Sequence, residues 1–172
     1  MTGQINVNKI AARTGNTITI NSGDKISGAA GSIVVPGQIL QVVTATDSTE
    51  VTSTSTSFVT ASNALSVSIT PSSASNKVFI TCSMSYGTPT GTHSFYPTIY
   101  RGSTNIGNAT NGFGNLFSGS SYNYAHATLQ ILDSPATTSA TTYQIYFRVA
   151  NNTGRINMNS GFSTITAFEV AG

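Results

Sequence analysis

The sequence predicts an all-β protein, a jelly-roll-like β-sandwich head over residues 37–172 preceded by an extended β N-terminal arm over residues 1–36. Three observations lead there. Only 7% of the 172 residues are charged, against about 25% in an ordinary soluble domain. Serine, threonine and asparagine, roughly 66 residues together, must wet the surface instead. Isoleucine, valine and threonine with the 8 Phe and 7 Tyr make up about 40% of the chain and favour strands. Leucine and glutamate are scarce and tryptophan is absent, which removes the usual material of helices. Finally, apolar residues alternate in short runs between turn signals. A helical bundle, a coiled coil and an acidic disordered tail are excluded.

The arm comes first. Ile5, Val7, Ile10, Ile18, Ile20, Ile26 and Ile33 stand singly or alternately among polar residues. Turn signals recur at Thr14-Gly15-Asn16 and Asn21-Ser22-Gly23-Asp24. So few isolated apolar side chains cannot close a core of their own. They are expected to bury against copies of the same segment, which makes them candidate oligomerisation residues.

Pro36-Gly37 punctuates, and the head begins with the apolar strand Gln38–Ala45. The low-complexity run Val51–Val59 reads as a strand or exposed edge. Leu65–Ile69 alternates, Pro71–Asn76 is a loop, and Lys77–Tyr86 is a strong strand. Cys82 shares the parity of Val78, Ile80 and Met84, so it reads as a buried core thiol; one cysteine forms no internal disulfide. After the loop Gly87–Thr92 comes the strand His93–Arg101, then a Gly/Asn-rich excursion, Gly102–Gly114, holding a short strand. Tyr122–Leu132 is the next strand, and Ser134–Thr141 turns. Tyr143, Ile145, Phe147 and Val149 then share one face. Asn151–Gly154 turns into Arg155–Met158, and Phe162–Val170 closes the chain. Eight to ten short strands without a helix describe a two-sheet sandwich.

The stretch Val7-Asn8-Lys9-Ile10-Ala11-Ala12-Arg13-Thr14-Gly15-Asn16-Thr17-Ile18-Thr19-Ile20, followed by Pro36-Gly37-Gln38-Ile39-Leu40-Gln41-Val42-Val43, resembles small virion proteins and tail-fibre segments of marine bacteriophages. Ser68-Ile69-Thr70-Pro71-Ser72-Ser73-Ala74-Ser75-Asn76-Lys77-Val78 is similar to the same group. The resemblance covers the arm and about half of the head. It implies a homotrimer in which an intertwined β-stalk carries a jelly-roll head.

Chemistry is sparse. The seven cations, Lys9, Arg13, Lys25, Lys77, Arg101, Arg148 and Arg155, never cluster, which argues against a nucleic-acid partner. A triad of a serine with His126 and Asp133 can be drawn, but no G-x-S-x-G elbow supports it. Asp47, Glu50, Asp133 and Glu169 form no pair suggestive of glycoside cleavage. Gly112-Phe113-Gly114 lacks the context of a phosphate loop, and His93 and His126 are too few for a metal shell. Asn108-Ala109-Thr110 and Asn151-Asn152-Thr153 match the glycosylation acceptor by composition alone. No enzyme, cofactor or metal is expected.

Recognition is expected in polar loops. The candidates are Asn105, Asn108 and Asn111 in the glycine-rich excursion, with Tyr122, Asn123 and Tyr124 after it. Tyr86, Tyr96 and Tyr100 also stand beside such loops, where rings suit sugar stacking or inter-sheet packing. No signal sequence and no membrane insertion are expected, since the N-terminus has no apolar core and no run approaches 18 apolar residues. A charge-poor β protein without leader or disulfide fits a virion component assembled in the host cytoplasm. Three functions follow: a trimeric fibre or tip touching a host surface glycan or protein; a decoration or cement protein clamping other virion proteins; or a sugar-binding module.

Overall fold

The computed structural model describes residues 33–89, 93–119 and 123–172, together with Ser22 and Ile26. The chain divides into two units, Met1–Ile33 and Val34–Gly172. Among its described residues the second unit carries twelve strands: β1 (Ile39–Asp47), β2 (Val51–Ser53), β3 (Val59–Thr60), β4 (Ser66–Ile69), β5 (Lys77–Thr88), β6 (His93–Arg101), β7 (Thr104–Asn105), β8 (Leu116–Ser118), β9 (Asn123–Asp133), β10 (Thr141–Val149), β11 (Gly154–Ile156) and β12 (Ser163–Val170). Among the described residues a single 3-10 turn spans Met158–Ser160.

The strands form two antiparallel sheets. The first runs β1-β12-β5-β9, with β11 and β2 continuing beside the far end of β5. In the second, β10 pairs β4 and β3 on one side and β6 on the other, and β6 carries β8 and β7. Taking β1, β4, β5, β6, β8, β9, β10 and β12 as first to eighth gives orders 1-8-3-6 and 2-7-4-5. That is a jelly roll.

Alternation explains why these strands meet. Val78, Ile80, Cys82 and Met84 point inward from β5, and Tyr143, Ile145, Phe147 and Val149 point inward from β10; all are fully buried. Tyr86 of the first sheet stacks on Phe95 of the second (ring centroids 5.2 Å), and Phe95 stacks on Phe147 (4.9 Å). At Gly154 a Cβ would meet Val149 Cγ1 at 2.6 Å and Phe95 Cδ2 at 2.9 Å, so glycine lets the chain turn against these rings.

Several expected elements differ: β5 runs on through Thr88 into the expected loop, the strand from Arg155 ends at Ile156 before a 3-10 turn at Met158, β8 lies where no strand was expected, and the serine run breaks. Val51–Val59 is not a single strand: β2 belongs to the first sheet and β3 to the second. Between them the serine hydroxyls take over the backbone. Ser53 Oγ accepts from Ser55 N, and Ser55 Oγ accepts from Ser57 N while donating to Ser57 O. Such local side-chain bonds compete with a ladder, so the serine run becomes the crossover between sheets.

Candidate interaction surfaces

The glycine-rich excursion gathers three of the expected recognition residues into one loop, but two of them build it. Asn105 Oδ1 accepts from Thr98 Oγ1 and from Gly107 N, and its Nδ2 donates to Asn108 O. Asn108 Oδ1 accepts from Thr110 N and Asn111 N, each at 2.9 Å, closing a turn bridged to Gly112. Gly112 (φ +56°) lies so close to Pro97 O that no Cβ fits, and Phe113 N donates to that same carbonyl at 2.9 Å. The loop is thereby pressed against β6. Asn111 remains exposed at its tip. Tyr122 lies outside the described residues. Asn123 and exposed Tyr124 open β9 opposite Thr88 and Gly87, on the other sheet from Asn105. Of the arm residues, Ile26 (64% exposed) and Ile33 (39%) are described, whereas Ile5, Val7, Ile10, Ile18 and Ile20 lie outside the described residues.

The expected tyrosines separate into core and surface. Tyr86 is a core residue, and burial pushes its phenol above the ordinary range. Tyr96 and Tyr100 lie on the outer face of the second sheet with Tyr146 and Phe58. There Tyr100 stacks on Tyr146 at 4.0 Å and receives the edge of Phe58 at 6.4 Å. The Arg148 guanidinium sits 3.9 Å from the Tyr96 ring centre, and its Nε donates to Thr110 O. These ring faces are engaged with one another and with Arg148.

The drawn triad does not assemble. His126 and Asp133 lie seven residues apart on β9, which separates them by roughly 24 Å along a strand. His126 lies on the outer face, with Ser83 Oγ at 3.4 Å. Asp133 instead pairs with Arg101 Nη1 at 2.9 Å and accepts from the Tyr143 hydroxyl at 2.6 Å. Burial first, and then the Asp133 carboxylate, push the Tyr143 phenol far above its ordinary range. Arg101 and Tyr143 belong to the second sheet and Asp133 to the first, so the trio clasps the sandwich. The Cys82 thiol is pushed up to about 12 by burial, which keeps it a protonated core side chain. Among the described residues no three His, Cys, Asp or Glu side chains converge.

Glu169 is 1% exposed, and among the described residues no ion pair reaches it. Its carboxylate accepts from Gln41 Nε2 (2.6 Å), Ser72 N (2.6 Å), Ser72 Oγ (2.7 Å) and Asn76 Nδ2 (2.6 Å). Burial alone would raise its pKa, but these bonds from Gln41, Asn76 and Ser72 outweigh it and hold the carboxyl below its ordinary value. In the sequence Glu169 stands only as a remote acid. Its one legible signal was parity, since Glu169 falls on the inward side with Ala167 and Ile165.

The remaining feature was not anticipated. On the outer face of the first sheet, Leu132 of β9, Phe79 of β5, Phe168 of β12 and Val42 of β1 stand in register across four strands. Leu132 is 50% exposed and Val42 54%. With Gly37, Ile39 and Val170, the Leu132–Phe79–Phe168 part lines a shallow groove of about 460 Å³. The next two rows are hydroxyl-rich: Gln130–Thr81–Thr166–Thr44, then Thr128–Ser83–Thr164–Thr46. Phe79, interrupting Val78 and Ile80, and Phe168, interrupting Ala167 and Glu169, were the signals in the sequence.

No family model matches this chain, and no curated protein does. Among solved structures it is similar to VP2 of infectious bursal disease virus. A mutant VP2 from derived particles gives a TM-score of 0.39 at 14% identity, covering 86% of this chain and 41% of that one. A VP2 subviral particle gives 0.40 at 16% identity, covering 86% and 42%. The T13 viral particle gives 0.40 at 13%, covering 87% and 40%. This chain spans about two fifths of the length of these proteins.

Proposed function

We propose that this chain is a non-enzymatic structural protein of a virion, the subunit of a homotrimeric bacteriophage fibre or tip that touches the host surface. One observation carries the reading: a jelly roll whose outward side chains are hydroxyls and apolar groups, with hardly a charge, is a building block suited to close packing among neighbours. The resemblance of residues 7–43 to phage virion proteins adds the fibre and the threefold assembly. Light scattering of the full chain in the micromolar range tests the assembly, with a trimer expected. Asn111→Ala and Tyr122→Ala test host contact, with weaker adsorption to host cells and an unchanged trimer expected. A monomer refutes the assembly, and adsorption unmoved by either change refutes the loop as contact site.

A second reading, a capsid decoration or cement protein, is favoured by Asn105 and Asn108. The Asn105 amide and the Asn108 Oδ1 are spent inside the loop, which leaves fewer groups to read a receptor. A copy number matching capsid lattice sites on intact particles would decide for it.

A further inference from the structure

We propose that the outer face of the first sheet is the surface through which one copy of this chain meets a second, an inference that rests on the self-assembling reading above. The apolar row Leu132–Phe79–Phe168–Val42 crosses all four long strands, with the two hydroxyl rows on one side of it and Ile39, Val170 and Lys77 on the other. A contiguous apolar strip that passes into a polar, uncharged margin is a surface suited to an interface.

Charge identifies the partner. The twelve side chains of the three rows include no ionisable group; Lys77 stands at one rim, opposite Val170, and His126 at the other, opposite Ser85 and beside Ser83. Such a face offers nothing to an acidic or basic partner and little to an anionic lipid surface, yet a second copy meets it without like-charge repulsion. The strands at either side agree. Among the described residues β1, β9 and the short β2 are the edges of this sheet, and none contains lysine or proline, the usual guards of an exposed edge. The groove also continues into the chain entering the domain. Gly37 lines it, while Val34 (54% exposed) and Val35 (55%) lie immediately upstream.

The test uses the full-length protein and light scattering across the micromolar range. Val42→Glu with Leu132→Glu would place unpaired carboxylates in the interface, weakening association about 100-fold or more. Both side chains are half-exposed on edge strands, so an unchanged cooperative melt should accompany the loss. Val42→Thr with Leu132→Thr extends the neighbouring hydroxyl rows without adding charge, and should weaken association about tenfold. Thr142→Glu, on the outer face of the second sheet, should behave as wild type. An oligomer untouched by both double variants overturns the face and leaves the self-assembly reading standing. Equal dissociation by Thr142→Glu also overturns the face, and a monomeric wild type overturns both.

Discussion

At the residue scale, the polar side chains worth most to this molecule are those taken out of water. Glu169 has its carboxyl held below its ordinary 4.5. A group whose folded pKa is depressed stabilises the fold above its unfolded value, and that contribution disappears as pH falls through the folded value. Melting temperature should therefore drop on acidification from about pH 4.5 downward, and Glu169→Gln should flatten that dependence. The variant should also cost about 1–2 kcal/mol at neutral pH, because an amide nitrogen would face the Gln41 donor. Asn105→Ala strands the Thr98 hydroxyl, which is fully buried, and should cost about 1–3 kcal/mol in denaturant unfolding. Cys82→Ser places a hydroxyl among Ile80, Met84 and Ile165 at a similar cost of about 1–3 kcal/mol.

At the element scale, the loops are shaped by where they close. The excursion between β7 and β8 is pinned to β6 through Asn105 and Gly112, so Gly112→Ala must displace backbone rather than a flexible side chain. It should lower stability by about 2 kcal/mol or more, combining a positive φ with a steric clash. The clasp of Arg101, Asp133 and Tyr143 joins β6, β9 and β10. Tyr143→Phe removes one bond and leaves the ion pair in place, at a cost of about 1 kcal/mol. Asp133→Ala leaves Arg101 without its carboxylate and Tyr143 without its acceptor, and should cost more than that. Thermal denaturation of both variants checks the order.

At the scale of the whole molecule, a charge-poor surface implies associations driven by apolar burial and neutral hydrogen bonds. Raising the salt concentration should leave the proposed oligomer intact, since little in its assembly is there to be screened. Sedimentation at low and high salt measures this. Removing residues 1–33 should weaken the proposed trimer and spare the cooperative melt of residues 34–172, whose fully buried core among the described residues begins at Ala61, with Val43, Ala45 and Val59 packed against it. A truncated chain without a cooperative melt would refute that division.

The strands were legible because a two-residue period is a local property. Val78, Ile80, Cys82 and Met84 announce their inward face through spacing alone, as do Tyr143, Ile145, Phe147 and Val149. Only the tertiary structure decided which sheet each strand joined and what stood beside it. The serine run became a crossover because β2 and β3 find partners in different sheets. Asn105 became a loop anchor because folding brings Thr98 beneath it, and Asp133 left the drawn triad because Arg101 and Tyr143 reach it from the opposite sheet. The apolar row on the outer face escaped the sequence for the same reason. Leu132, Phe79, Phe168 and Val42 lie far apart along the chain, and each alone is an unremarkable outward residue. Register across β9, β5, β12 and β1 lines them up, and register is set by long-range strand pairing rather than by neighbours in sequence.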